Sequence, residues 1–232
     1  MSRLLFEKTG VSIWSSHLDL MRALMRSFRR AGIELKHSQG FTPHPELSIL
    51  MPLSVGVESQ CEIAEFTTAE GCKVPVEEIA ARLNPVLPAG IRALESYDGG
   101  RKAGRLAWLR ARLTLCFDSA GAAGGRSEPE SDGMQQDRLE AIRALFARPS
   151  LTVEKHGKKG PTELDIVPMI RELTVSAAGN AVLIEAVVAA QNPTLNPLLL
   201  VTAIETCLPE CRPDQVRCRR IEIYDQDMNP FR

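Results

Sequence analysis

Apolar residues recur along this chain with two different spacings, and the switches between them lay out its elements. Residues 3–9 alternate and are rich in aliphatics, as a strand requires, and Gly10 and Ser12 then signal a turn. Over 16–31 the period becomes helical. Met21, Leu24, Met25 and Phe28 share one face, Ser16 stands as N-cap with Asp19 three residues on, and Gly32 supplies the stop. Residues 33–37 suggest a short strand, and 47–57 an extended run that continues through 62–67 as another. Residues 76–83 predict a short helix begun at Pro75 and broken at Pro85, and 91–97 a closing strand.

The second half repeats this order. Residues 106–117 read as a strand, 135–147 as a helix, 151–156, 162–175 and 181–190 as strands, 197–207 as a helix and 216–224 as the last strand, with one hairpin strand in surplus. The expected fold class is α+β, two tandem ferredoxin-like (βαββαβ) sandwiches whose helices cover one face of an antiparallel sheet. A faint internal echo supports duplication, since Lys36 and His37 followed by ELSILMP resemble Lys155 and His156 followed by ELDIVP. The polar, glycine-rich stretch 99–104 predicts a linker between an N-terminal domain, 1–98, and a C-terminal domain, 105–232. Residues 119–133 offer nothing to bury and predict a mobile loop inside the second domain.

Composition sharpens this picture by exclusion. A chain of 232 residues with formal net charge −1 has no global pull toward nucleic acid, so any basic site must come from local clustering. The N-terminal apolar run is too short for a signal peptide, and nothing approaches the roughly 20 apolar residues of a membrane span, so a cytoplasmic chain without membrane contact is expected. Six scattered cysteines then read as reduced, buried thiols. Cys207, Cys211 and Cys218 lie close in sequence, but they fall one ligand short of a closed zinc site and lack CxxC spacing. Dinucleotide and phosphate-loop fingerprints, HExxH and GxSxG are absent, and no metal, cofactor or complete catalytic constellation is assigned.

The candidate chemistry is anionic recognition. Arg22, Arg26, Arg29 and Arg30 stand along one helical face, where planar guanidinium groups suit phosphate; the bland alternative is a solvated outer face pairing with acids such as Glu34. Directly after that helix, the loop 38–48 carries Gln39 and His44, the latter braced by Pro43 and Pro45. That imidazole suits anion contact, loop pinning or, in an alternative reading, general acid/base catalysis. His17 faces the positive end of the helix dipole, which favours a neutral cap or core role over catalysis. Lys8 joins the anion-binding set, as do Lys155, Lys158 and Lys159 at a glycine-flanked basic tip, for which a solvated turn is the alternative. Trp14 and Trp108 read as core plugs, and no aromatic pair marks an RNA-stacking sheet.

The segments RLLFEKTG, SHLDLMRALMRSFRRAG, SQGFTPHPELS and PLSVGVES, in that order, make the first 60 residues resemble the radical SAM-linked protein family, a bacterial domain of unknown function. In that family the domain occurs alone or attached to the C-terminal side of a radical SAM protein with a cobalamin-binding region. Its gene tends to lie near those for an E/G-type ribonuclease and ribosomal proteins. The resemblance therefore implies a non-catalytic accessory role linked to RNA or the ribosome, with a radical SAM protein in trans because the CxxxCxxC motif is missing here. Where the family commonly has asparagine and lysine, this chain has Thr42 and Glu46, which makes a strongly basic pocket beside His44 less secure. A weaker likeness, of architecture alone, is to tandem ferredoxin-like RNA-processing endonucleases of CRISPR systems. The readings carried forward are an RNA-binding accessory module, a metal-independent endonuclease using His44 or His17, and a protein-interaction scaffold without nucleic-acid binding.

Overall fold

The computed structural model describes residues 1–117, 132–157 and 160–232. The chain divides into two compact units, Met1–Arg105 with Phe231–Arg232, and Leu106–Pro230. The predicted linker 99–104 lies within the first.

In the first unit β1 (Ser2–Lys8) leads through a short 3-10 turn into α1 (His17–Arg30); β2 (Leu47–Ile49), β3 (Val57–Phe66), α2 (Val76–Leu83) and β4 (Ile91–Asp98) follow. The strands are antiparallel and ordered β4-β1-β3-β2. Alternation decides which side chains meet the helices. Leu4 and Phe6 of β1, Ala64 and Phe66 of β3, and Ile91 and Ala93 of β4 form one buried cluster with Leu20, Leu24 and Phe28 of α1 and Ile79 and Leu83 of α2. Within it the Phe28 and Phe66 rings sit 5.0 Å apart and tilted by 54°, a geometry that adds to the roughly 1.5–3 kcal/mol gained by burying each ring.

On the odd-numbered side of β1 the guanidinium of Arg3 is 2.8 Å from the Glu65 carboxylate and 4.9 Å from the centre of the Phe231 ring. It also donates to the Arg101 carbonyl, and Arg101 N–H donates to the Arg232 carbonyl at 2.9 Å. Gly100 has φ +106, and a Cβ there would stand 3.0 Å from the Arg232 carbonyl carbon as well as 2.6 Å from Arg3 Nη1, so the position favours glycine. These contacts tie residues 100–101 and 231–232 to β1.

α1 ends in a tight reversal. Gly32, at φ +72, donates to the Arg29 carbonyl at 3.1 Å, and Ile33 donates to the Phe28 carbonyl at 3.0 Å, the paired bonds of a Schellman motif. Ile33 is itself in the core cluster with Phe28. Two expected extended stretches are shorter here. Residues 33–37 make only the isolated bridges Leu35 to Thr68 and His37 to Pro45, and the run 47–57 is not one strand: β2 ends at Ile49 and β3 begins at Val57, with Pro52 and the left-handed Gly56 between them.

The second unit contains β5 (Leu106–Cys116), α3 (Asp132–Phe146), β6 (Thr152–Gly157), β7 (Gly160–Asp165), β8 (Ile170–Ala178), β9 (Ala181–Ala189), α4 (Leu198–Cys207) and β10 (Gln215–Asp225). Its main sheet is antiparallel in the order β10-β5-β9-β8, while β6 and β7 pair separately. Leaving out that hairpin, the sheet runs fourth, first, third, second strand, as in the first unit. The single strand expected over 162–175 is broken, because the Asp165 carboxylate accepts from Leu151 and Val167 N–H at 3.0 and 3.1 Å and Pro168 sits in the 3-10 turn Val167–Met169. Residues 119–131 of the loop expected over 119–133 lie outside the described residues, and 132–133 begin α3.

The echoed words fall on reversals in both units. His37 opposes Pro45 in the first and His156 opposes Pro161 in the second. They part afterwards, since Leu47–Ile49 joins the main sheet directly, whereas Glu163 and Leu164 stay in the separate hairpin.

A Cβ at Gly32 meets no atom within 4 Å, so the cost of Gly32→Ala is that of its left-handed backbone alone. Urea unfolding is expected to show a loss of about 1–2 kcal/mol; an unchanged midpoint would mean that α1 does not stop through this motif.

Candidate functional site

Helix α1 presents its arginines because its other face is committed to the core. Leu20, Leu24, Ser27 and Phe28 are buried, which leaves Arg22, Arg26, Arg29 and Arg30 exposed. At its start the Ser16 hydroxyl accepts from Asp19 N–H at 3.2 Å and donates to the Asp19 carboxylate at 2.6 Å. That hydroxyl first, and then the charges of Arg22 and Arg26, hold the Asp19 carboxyl below its ordinary value.

The Schellman reversal turns residues 33–37 back alongside α1. There Lys36 N–H donates to the Thr67 carbonyl at 2.8 Å, Glu46 N–H to the Lys36 carbonyl at 2.7 Å and Ala69 N–H to the Glu34 carbonyl at 2.8 Å, so the segment is held between 44–46 and 67–69. Between it and the helix lies a groove of about 770 Å³. Met25, Phe28, Ile33 and Leu35 line it with apolar surface; Arg26 and Arg29 come from α1, Lys36, His37 and Pro45 from the reversal, and Glu34, Ala69 and Glu70 complete the lining. Neither Arg26 nor Arg29 forms a salt bridge among the described residues, while the Lys36 ammonium lies 3.6 Å from the Glu46 carboxylate. Apolar surface edged by guanidinium, ammonium and imidazole groups suits a ligand with both flat apolar faces and negative charge.

The expected site is thus only partly assembled. Arg22, its side chain 67% exposed, lies 3.6 Å from Asp19, and neither it nor Arg30 lines the groove. Gln39 and His44 sit exposed on the loop beyond it. His44 closes that loop: its Nδ1 lies 2.8 Å from Ser38 Oγ, its N–H donates to the same oxygen at 3.2 Å, and Ser38 N–H donates to the His44 carbonyl at 2.9 Å. His17 is half-buried, its Nδ1 without a hydrogen-bond partner, and it stands nine residues before Arg26, roughly 13 Å along the helix. It cannot act together with the groove residues.

Lys8 leaves the anion-binding set. At 1% exposure, its ammonium donates to the Ile13 and Ser15 carbonyls at 3.2 and 3.0 Å, so it braces the turn before α1. Lys155 lies in β6, and Lys158 and Lys159 lie outside the described residues. Trp14 is no core plug: it is 70% exposed, with its ring against Gly56. Trp108 is half-buried beneath the Arg171 guanidinium, 5.3 Å from the ring centre. Two residues escape the sequence pattern. His37 reads there as part of a strand, although the KH pair before SQGF is a usable signal, and Phe41, at the loop apex, goes unmarked because an isolated phenylalanine ordinarily signals core.

The six cysteines are free thiols, and among the described residues no group of three His, Cys, Asp or Glu side chains is placed to hold a metal. Burial pushes the Cys218 thiol up to about 12 and raises that of Cys211 as well.

The class defined by fold and site is an α+β protein of antiparallel sheets, with a cation-edged groove beside its first helix. No helix among the described residues is long and apolar enough to cross a membrane. The chain belongs to the family described as "Uncharacterized protein conserved in bacteria (DUF2344)", whose model matches residues 2–197. The match takes in β1 through β9, well beyond the stretch that carries the sequence resemblance, and its description assigns no activity and names no radical SAM chemistry. None of the curated proteins matches. A solved structure, "Crystal Structure of an Unknown Protein from Galdieria sulphuraria", aligns over 94% of this chain and 96% of its own at 12% identity and a TM-score of 0.25, a likeness too weak to inform fold or function.

Two outcomes are expected in solution. By NMR titration the Asp19 carboxyl has its midpoint below the ordinary value of about 3.9, and Ser16→Ala moves it upward. Because the folded value is the depressed one, the cap stabilises α1 above the unfolded value and its contribution is lost as pH falls through the folded one; equal midpoints in the two proteins refute this. In the native protein at mildly alkaline pH, Cys218 resists iodoacetamide and reacts after unfolding. Rapid native labelling contradicts its burial.

Proposed function

We propose that this chain is a non-catalytic module that binds RNA, or the RNA of a ribonucleoprotein, and presents it to a radical SAM modification enzyme acting in trans. The groove carries this reading, because it brings Arg26, Arg29 and Lys36 around apolar surface in a protein of formal charge −1. Guanidinium groups grip phosphate through paired hydrogen bonds, and each phosphate neutralised releases condensed counterions, so a few cations in one place matter more than the overall balance. Glu34 and Glu70 at the same groove limit the pull on featureless polyanions and favour a ligand that also uses the apolar floor. The strand orders β4-β1-β3-β2 and β10-β5-β9-β8 support reading both units as ferredoxin-like sandwiches. The link to a radical SAM enzyme rests on the resemblance of the N-terminal segments.

His17 and His44 lie outside the groove lining, which weighs against the endonuclease alternative. RNA cleavage in EDTA that disappears with His44→Ala would restore it.

Changing Arg26 and Arg29 together to Ala is expected to weaken RNA retention in a filter assay. It should also lower the slope of log K against log salt by about 1.4, at roughly 0.7 for each single-strand phosphate that no longer has a cation beside it. Unaltered affinity and slope rule out the groove as the binding surface.

A further inference from the structure

The loop whose base lines the groove carries an unexplained aromatic at its apex. His37 and Pro45 pair across the base, and Ser38 and His44 close the next rung through three polar contacts. The five residues between them, QGFTP, form the turn, with Gly40 at φ +156 just before Phe41 and Pro43 fixing its own φ two residues after it. Phe41 has a fractional exposure of 110%, the largest of the exposed apolar side chains of the described chain. A benzyl group held in water by a closed loop contributes no packing to the fold. The charges on the same element say what would cover it, since Lys36 and His37 form the groove wall at the loop's base and Arg26 and Arg29 face them from α1. From His37 to Phe41 is four residues, roughly 14 Å at most, a distance that a few nucleotides span.

We infer that Phe41 is a stacking platform for an unpaired base of single-stranded RNA whose phosphates lie along Arg26, Arg29 and Lys36. This rests on reading the groove as an RNA-binding surface, and it narrows the ligand. A paired base offers its faces only to its neighbours in the stack, whereas a base in a single strand can be splayed onto an aromatic ring. Stacking on a phenyl face is tolerant of sequence, so the site selects for strandedness rather than for one base. The closed loop restricts the backbone that carries the ring before binding, which reduces the ordering cost of the contact.

The test is fluorescence anisotropy with a labelled oligouridylate and a labelled blunt RNA duplex, using the full chain. Phe41→Ala is expected to weaken oligouridylate binding by about 5- to 150-fold, while Phe41→Tyr and Phe41→Trp retain it. The salt slope should stay that of the unsubstituted protein, because no cation is removed, and duplex affinity should not change. Thermal unfolding should match as well, since the side chain packs against nothing. Equal oligouridylate affinity for Phe41→Ala and the parent, with the Arg26/Arg29 double substitution still weakening binding, overturns the stacking role and leaves the groove standing. Full rescue by Phe41→Leu also overturns it, because an aliphatic contact needs no ring. If the parent protein binds neither RNA, the groove reading and this inference fall together.

Discussion

The way α1 stops governs everything near the groove. Phe28 packs on Phe66 in the core, and one turn later Gly32 takes a left-handed backbone that lets Ile33 bond back to the Phe28 carbonyl. The same residue that anchors the helix to the sheet thus anchors the reversal that ends it. Without that reversal, residues 34–37 would continue away from the helix, and Arg26 and Arg29 would form an ordinary solvated face. With it, a segment bearing Lys36 and His37 returns alongside the guanidinium groups and is clamped there by backbone bonds to Thr67, Ala69 and Glu46. The groove is a by-product of a helix cap, which is why its cations come from two elements separated by a glycine.

Charge in this protein is divided between work inside the fold and work at the surface, and residue type alone does not separate the two. Arg3 and Lys8 are as cationic as Arg26, yet both are buried: Arg3 joins Glu65 to the segment around Arg101 and Phe231, and Lys8 braces the carbonyls of Ile13 and Ser15. A buried cation is costly without acceptors, and both have them, although Arg3 Nη1 itself is buried without a hydrogen-bond partner and only its Nε and Nη2 donate. Arg26 and Arg29 lie where water satisfies them and where a ligand can replace that water.

Much of the fold was legible from spacing. The helical period of Met21, Leu24, Met25 and Phe28 and the Ser16 and Gly32 signals placed α1 to within a residue of its ends, and Pro75 placed the start of α2. The errors cluster where backbone chemistry outweighs hydrophobic pattern. Pro168 and the Asp165 carboxylate break a run that reads as one strand, and residues 33–37 are extended without ladder partners enough to be one. For the site, the arginine face and the SQGF loop were visible, but two of the four arginines, Gln39 and His44 lie outside the groove while His37 lies inside it. A helix shows all its exposed residues alike in a linear pattern; which of them face another segment depends on where the chain turns afterwards.

Local rules acting over a few residues therefore determined, from sequence alone, which segments form helices, most of those that extend, where α1 begins and ends, and that its outer face is cationic. Only the tertiary structure decided that Lys8 is buried, that Trp14 and Phe41 meet solvent, and that Arg26 and Arg29 share a groove with Lys36 and His37. Capping, turn and periodicity signals are short-range in the chain, whereas burial and proximity depend on strand register and on the direction of one reversal. The pairing of Leu35 with Thr68 joins residues far apart in sequence and has no local signature.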